Sequence, residues 1–400
     1  MRQFSSIFLS AALCATSSQA VNLYAATSDG NVTSLVLNRG ATNSSSLAAT
    51  SKTKCGANAS WISLDPEGRI LYCLDRGVSS SVNGSMNSYS VADDGVLTSI
   101  DSVTAPLSGV SHEIFTNNVG KRGIATASYN KSAIAVIGLG ANGALDEPLQ
   151  IINPVLEATG PVLARQDLSY MHQSQVDPEG KYLIMNDLGG DRTRVFAWDE
   201  ENLAPLTELA PLRTDPGSGP RHGVFWKPET SDDLYYFVVG ELSQYVYSYK
   251  LAYTDEGLTW EKVFEIPGLG VENEVPALTS PLSEIALSPD NKFLIVSHRD
   301  ISFRNSTKVG SGPSDTLSTF TIKEDGTLEL LQLAPSGGWS PRHFALNKAG
   351  DLLAVGHQNN NTVVIWERDL ETGKIVTAEE GGPVGIVTLS GAVVCTIWDE

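Results

Sequence analysis

Tyr170-Met-His-Gln-Ser-Gln-Val-Asp-Pro-Glu-Gly-Lys-Tyr-Leu-Ile-Met-Asn-Asp-Leu-Gly-Gly-Asp-Arg-Thr-Arg-Val-Phe-Ala-Trp-Asp199 is the stretch on which the fold turns. It divides into three strands. Met171 to Val176 is the first. Asp177-Pro178-Glu179-Gly180 is a tight turn, in which proline presets φ and glycine takes the position with φ > 0. Tyr182 to Asn186 is the second strand and ends against polar Asp187. A Gly-Gly loop leads to the third, Thr193 to Trp198. Nothing in the stretch repeats with a helical period.

The same unit recurs along the chain. Leu64-Asp65-Pro66-Glu67-Gly68-Arg69-Ile70 is a close copy and Phe115 to Lys121 a degenerate one. Phe225 to Pro228, Leu287 to Leu294 and Leu346 to Leu353 follow. Each unit's second strand ends in a polar residue, near Asp75, Ser128, Asp187, Glu241, His298 and His357. A seventh such end, Thr27-Ser28-Asp29-Gly30, comes early and has no turn before it. Successive ends are 48, 53, 59, 54, 57 and 59 residues apart. An all-β period of that length predicts a propeller. The expected fold is therefore seven blades, each a four-stranded antiparallel sheet, forming one domain over residues 21–400. The first unit lacks an inner strand. The tail, Val384 to Thr388 and Ala392 to Trp398, is strand-like without a unit of its own. It is expected to close the ring by pairing with the N-terminal blade, which removes two open sheet edges.

Residues 1–20 read as a secretory signal peptide. Arg2 is the positive region, Ile7 to Ala15 the apolar core, and Ser18-Gln19-Ala20 places small residues at the cleavage positions. No later segment approaches the length of a membrane span. Seven Asn-x-Ser/Thr sequons, at Asn31, Asn43, Asn58, Asn83, Asn130, Asn305 and Asn360, fit an extracellular protein with glycans on its loops. Cleavage removes Cys14. Cys55 and Cys73 then flank one hairpin and can bridge it, leaving Cys395 unpaired, or all three can be buried thiols. The formal charge of −19 argues against nucleic acid and anionic membranes as partners.

Gly138-Leu139-Gly140-Ala141-Asn142-Gly143 matches a dinucleotide-binding pattern. Such a loop must open a helix, and Leu145-Asp146-Glu147-Pro148 follows instead, so it reads as a blade turn. The six histidines have no local ligand spacing, and no metal or organic cofactor is implied. What stands out is position. In a propeller the inner strands line the central channel and their ends frame its mouth. Those ends carry His112 with Glu113, His172, Arg221 with His222, Glu284, and Arg342 with His343. The following strand ends add Asp187, Glu241, His298 with Arg299, and His357. Such residues can simply tie blades together, and for Asp187-Leu188-Gly189-Gly190-Asp191-Arg192 that role fits better. As a set they point to a site for a small anionic or oxygen-rich molecule.

These residues also carry a resemblance. His172-Gln-Ser-Gln-Val-Asp-Pro with Asp187-Leu-Gly-Gly-Asp-Arg, Gly219-Pro-Arg-His222, Val239-Gly-Glu-Leu242, and Pro341-Arg-His343 with Gly356-His-Gln358 resemble the seven-bladed β-propeller lactonase family. That family includes 6-phosphogluconolactonases and fungal 3-carboxy-cis,cis-muconate lactonizing enzymes. The resemblance spans essentially the whole mature chain. It implies a catalytic set of His172, Arg221, Glu241 and Arg299, with His112, Asp187, His222, His298, Arg342, His343 and His357 as substrate-binding candidates. Departures are the inserted Glu229 to Asp233, the histidine beside Arg221, and the secretion signal.

The chemistry suits the residue types. Arginine forks hold carboxylates and stabilise developing negative charge. Glu241, ending an apolar strand, is expected to have a raised pKa and to act as acid or base. His172 is expected to titrate near working pH and to pair with it. The favoured reading is a secreted hydrolase of a sugar or aldonic-acid lactone. A muconate-type lactonizing enzyme and a non-catalytic binding propeller are the alternatives.

Overall fold

The computed structural model describes residues 19–40, 45–199, 201–273, 278–299 and 314–400. Residues 1–18 of the expected signal peptide, and the sequons at Asn43 and Asn305, lie outside the described residues.

Seven antiparallel sheets form the ring. Six are built by consecutive strands running from the channel outward. Blade 2 opens with Ala59–Asp65, blade 3 with Gly109–Thr116, blade 4 with Met171–Val176, blade 5 with Pro220–Trp226, blade 6 with Leu282–Leu287 and blade 7 with Pro341–Leu346. Blade 1 is composite. Its inner strand is Val393–Trp398, followed outward by Gln19–Thr27, Asn31–Arg39 and Ser46–Lys54. Val393–Trp398 pairs antiparallel with Leu23 to Thr27, so the C-terminus closes the ring as expected. The other tail segment, Gly385–Thr388, does not share that task. It pairs with Thr362–Glu367 as the outer strand of blade 7.

Burial follows strand position. Second strands such as Ile70–Asp75, Phe293–His298 and Leu352–His357 are buried throughout, because blades pack on both faces. They accordingly read as unbroken apolar runs rather than alternating ones. Outer strands such as Ser46–Lys54 are largely exposed and polar, which keeps the free edges from pairing with other chains. The core is thus a series of wedges between blades. Trp226, Phe237 and Val239 of blade 5 pack on Leu282, Leu294 and Phe320 of blade 6, for example. The turn in the opening stretch behaves as read. Gly180 has φ +67°, and its amide donates to the Asp177 carbonyl at 2.9 Å. Gly138 and Leu139 end the strand Ala133–Leu139, and Gly140 to Gly143 is the blade turn that follows, with one short 3-10 segment, Ala141–Gly143.

Cys55 and Cys73 are bridged, and Cys395 is a buried free thiol. Cys55 lies just beyond the outer strand of blade 1 and Cys73 in the second strand of blade 2, so the bridge pins one blade to the next. A loop of that size contributes about 3 kcal/mol in the chain-entropy picture.

The last residues lock the seam from both sides. The Trp398 indole donates to the Ala345 carbonyl of blade 7 at 2.9 Å. Asp399 accepts from Arg69 of blade 2 at 2.5 Å and from Tyr24 of blade 1 at 3.2 Å. Truncation after Gly391 removes the inner strand of blade 1 and these locks. The truncated chain is expected to lose its cooperative thermal transition and to aggregate, as followed by circular dichroism and gel filtration. An unchanged melting midpoint would show that the ring does not depend on this strand.

Candidate functional site

Two repeated local features aim side chains at one mouth of the channel. The first is a β-bulge. Register breaks just after the first residue of the inner strand in blades 2, 3, 4 and 7. A bulge leaves one residue unpaired and turns its side chain away from the sheet. His172 and Arg342 are such residues, and Arg221 falls in the equivalent break between Pro220 and Gly223. The second feature is the residue one past each second strand. There Arg76, Tyr129, Glu241 and Arg299 donate their amides to the carbonyls of Asn58, Ser108, Gly219 and Pro281, at 3.0, 2.9, 2.9 and 3.1 Å. This hydrogen bond ties the end of the second strand to the chain entering the first.

Together they enclose a cavity of about 220 Å³, lined by Arg76, Val110, Tyr129, Asn130, Arg165, His172, Glu241, Arg299 and Arg342. Wider grooves of about 410 and 570 Å³ run along the blades' outer parts, and among the described residues Lys131 is the only cation lining either. The channel-mouth cavity is smaller but concentrates the charge.

Glu241 is the hub. One carboxylate oxygen stands 2.9 Å from Arg221 Nε and 3.0 Å from an Arg299 Nη. The other accepts from Arg165 at 2.6 Å. Burial pushes the Glu241 carboxyl up, but Arg299, Arg221 and Arg165 outweigh it and hold it down at about 2. The expectation of a raised pKa is therefore corrected. The strand end is apolar and buried as read, yet three guanidiniums converge on it, and opposite charge favours the ionised form. Glu241 is a fixed anion at neutral pH, unsuited to donating a proton.

Arg342 and Arg76 have no acidic partner among the described residues. Burial and the neighbouring arginines push Arg342 down to about 9, and burial lowers Arg76 as well. Arg165 also donates through Nε to the Tyr129 hydroxyl at 2.9 Å, so that hydroxyl can offer its own hydrogen elsewhere. His172 lies below, its ring edge-on to Tyr129 with centroids 5.5 Å apart. Burial comes first, then Arg221, His222, Arg342 and Arg299, in driving its pKa well below the ordinary value. The expectation that His172 titrates near working pH is corrected: it is a neutral imidazole in the unliganded cavity, and it bonds to His222, not to Glu241.

The family model described as "Lactonase, 7-bladed beta-propeller" matches residues 20–389. The chain belongs to the seven-bladed β-propeller lactonase family. A probable 6-phosphogluconolactonase of Arthroderma benhamiae is 30% identical over 339 residues, 84% of this chain and 79% of that protein. A 6-phosphogluconolactonase of Formosa agariphila is 28% identical over 323 residues, 80% of this chain and 83% of its own. The periplasmic gluconolactonase of Pseudomonas aeruginosa shares the fold with a TM-score of 0.76 at 21% identity, covering 95% of this chain and 99% of that one.

The lactonase brings His172, Glu241, Arg299 and Arg342 to one cavity, with Arg221 held against Glu241 just behind. His222 and His343 lie further back, around Glu284. Four candidates are elsewhere and are corrected. His112 bonds Ser63 at 2.7 Å. His298 is held between Ser280 and Ser318, at 3.2 and 2.9 Å, and His357 between Ser336 and Thr362, at 3.1 and 3.2 Å. Asp187 accepts from Ser169, the Tyr170 amide and Arg194, at 2.7, 2.9 and 2.9 Å. The reason is geometric. For Asp187, His298 and His357, the last residue of a second strand points into the blade and clamps the incoming chain, and only the next residue faces the cavity. His112 lies in the inner strand of blade 3 past its bulge, where Val110 is the residue released to the cavity. Arg76 and Tyr129, which the reading missed, were accessible by that rule, one past Asp75 and Ser128. Arg165 carried no such signal. It comes from the short helix Leu163–Gln166, in a connection without strand pattern.

Glu241→Gln should lower the unfolding free energy at pH 7 by about 3–5 kcal/mol, because it strands three cations around a buried position. The sign with pH follows from the depressed pKa. Below the ordinary carboxylate value of 4.5 the unfolded chain takes up protons that folded Glu241 refuses until about pH 2, so the stabilisation fades over that interval. Urea titrations of both proteins between pH 7 and 3 should show the gap narrowing below about pH 4.5. A constant gap would mean that Glu241 is not charged in the folded state.

Proposed function

We propose that this lactonase hydrolyses a sugar or aldonic-acid lactone bearing an anionic group, by acid/base catalysis at the channel mouth. One observation carries the reading: four arginines, at positions 76, 165, 299 and 342, line the cavity and Arg221 stands just behind it, with Glu241 the one carboxylate lining it among the described residues, in a chain of net charge −19. Burying an unpaired guanidinium costs several kcal/mol. Such a cluster makes sense where an incoming anion supplies the missing charge. The names of the curated relatives, 6-phosphogluconolactonases, support a sugar lactone as the substrate class.

The roles divide accordingly. Arg342 and Arg76 receive the substrate's anionic group. Arg299 and the Tyr129 hydroxyl stabilise the carbonyl oxygen as water adds to it. Glu241 organises the arginines and takes no part in proton transfer. His172 moves the proton. The muconate-type reaction would use the same four residues in the lactone-forming direction, so the assay must include its substrate.

Secretion belongs to the same proposal. The apolar run Ile7 to Ala15, the Cys55–Cys73 bridge and the exposed sequons at Asn83, Asn130 and Asn360 support it, since disulfides persist mainly in oxidising compartments.

The test is a panel of 6-phosphogluconolactone, glucono-δ-lactone, an uncharged aliphatic lactone and 3-carboxymuconate. Hydrolysis of the charged sugar lactone should exceed that of the neutral one by tenfold or more in kcat/KM. Arg342→Ala and Arg76→Ala should each remove about 1.5–3 kcal/mol of binding to the charged substrate, roughly 10- to 100-fold, and leave the neutral one nearly unchanged. Absence of turnover on every lactone, or indifference to charge, overturns the reading.

A further inference from the structure

The cavity wall is the front of a longer hydrogen-bonded array. His172 Nδ1 is 3.1 Å from His222 Nε2, and His222 Nδ1 is 2.8 Å from Glu284 Oε1. The second Glu284 oxygen is 3.6 Å from His343 Nε2. Trp61 meets the rings of His222 and His343 edge-on, with centroids 5.6 and 4.9 Å apart. His172, His222, Glu284 and His343 are all buried, and they come from the inner strands of four consecutive blades.

The proton positions follow from the ends of this array. The Thr396 amide donates to His343 Nδ1 at 3.2 Å, so that nitrogen carries no hydrogen and the ring's proton is on Nε2, facing Glu284. Glu284 Oε1 also accepts from the Ile285 amide at 3.1 Å, so that oxygen carries no hydrogen, and burial's upward push on the carboxyl is outweighed by its imidazole neighbours, the His222 hydrogen bond and Arg221. His222 therefore donates to it through Nδ1. A neutral His222 then presents a lone pair at Nε2, and His172 must donate to that lone pair through its own Nδ1. This leaves His172 Nε2 as a bare lone pair. It has no hydrogen-bond partner among the described residues, and the ring lines the cavity.

We propose that Glu284 and His222 are positioning residues that lock His172 in the Nδ1–H form, so that its Nε2 serves as the base for the hydrolytic water. The inference rests on the lactonase reading above. In the step, the water oxygen forms a bond to the lactone carbonyl carbon and His172 Nε2 takes the water proton. The ring C–O bond then breaks, and the same Nε2–H returns that proton to the departing ring oxygen. The product acid loses its proton to solvent. While His172 is cationic, its charge is balanced through His222 by Glu284, in the manner of an acid–histidine pair. The charged and titratable groups around His172 are Arg221, His222 and Glu241 of blade 5, Arg299 of blade 6, Arg342 of blade 7, Arg76 of blade 2, Tyr129 of blade 3 and Arg165 of the connection after it. An anion bound to these arginines removes their repulsion and makes His172 a stronger base when substrate is present.

The experiment has one arm that needs no turnover. Nitrogen-15 NMR of the full chain labelled at histidine, at pH 7, should show His172 and His222 protonated at Nδ1 and His343 at Nε2. The second arm is kinetic, on the best substrate of the panel. Glu284→Gln keeps an acceptor for His222 but removes the charge. It should lower kcat about 10²–10³-fold with KM within threefold and the His172 tautomer retained. His222→Phe should lower kcat at least as far and return His172 to the Nε2–H form. A wild-type His172 protonated at Nε2, or a Glu284→Gln enzyme with full kcat, overturns the relay while leaving lactone hydrolysis intact. A wild-type enzyme inactive on all lactones sinks the functional reading instead, and the tautomer measurement still stands on its own.

Discussion

The antiparallel pairing of Val393–Trp398 with the first strand, Gln19–Thr27, is the contact on which the rest depends. No blade here has a core of its own. Each is a thin sheet whose apolar faces are covered only by its two neighbours, as in the wedges between blades 3 and 4 or 5 and 6. An open ring would leave such a face wet at the seam and two sheet edges unpaired. The seam also matters to the site. Arg342 belongs to blade 7 and Arg76 to blade 2, on either side of the composite blade 1. The two arginines without acidic partners among the described residues therefore share one cavity only because the C-terminal strand lies between them.

Within the closed ring, function comes from small, repeated departures from regular strand geometry. A bulge in the inner strand and a turn past the second strand occur in blade after blade, and each releases one side chain toward the channel mouth. Where those positions carry Val110, as in blade 3, they fill space. Where they carry His172, Arg342, Glu241, Arg299 or Arg76, they make a polar pocket from one scaffold device. The electrostatics are then lopsided by design of position. Glu241 holds three guanidiniums in place and is itself held ionised by them, and the remaining positive charge faces the cavity.

Behind this front, Glu284 anchors a second polar layer through His222 and His343. The two glutamates divide the labour. One orients arginines and the other orients histidines, and each is paired because an isolated buried carboxylate would take up a proton instead. The histidines that do not reach either layer, His112, His298 and His357, are bonded to serine or threonine hydroxyls within and between blades. His112 and His357 are neutral linkers, since burial drives both imidazoles well below their ordinary value.

The seven-fold repeat, the all-β class, the closing tail and the family were legible in the chain, because each blade must spend its own turn residues and its own buried run, as Asp177 to Gly180 and Tyr182 to Asn186 do. Those are local requirements, satisfied by residues adjacent in sequence. That polar strand ends would gather at one mouth was also inferable, since blade spacing ranks positions around a ring, and the family resemblance singled out His172, Arg221, Glu241 and Arg299 among them. Charge state was not. Whether a buried carboxylate is raised or lowered depends on what else arrives, and Arg165 reaches Glu241 from a connection 76 residues away that has no repeat pattern. Nor could spacing separate Asp187 from Leu188, or His298 from Arg299, as the residue that turns inward. That choice is made by the strand's last pleat and the backbone bond that follows it, which exist only once the blade is folded.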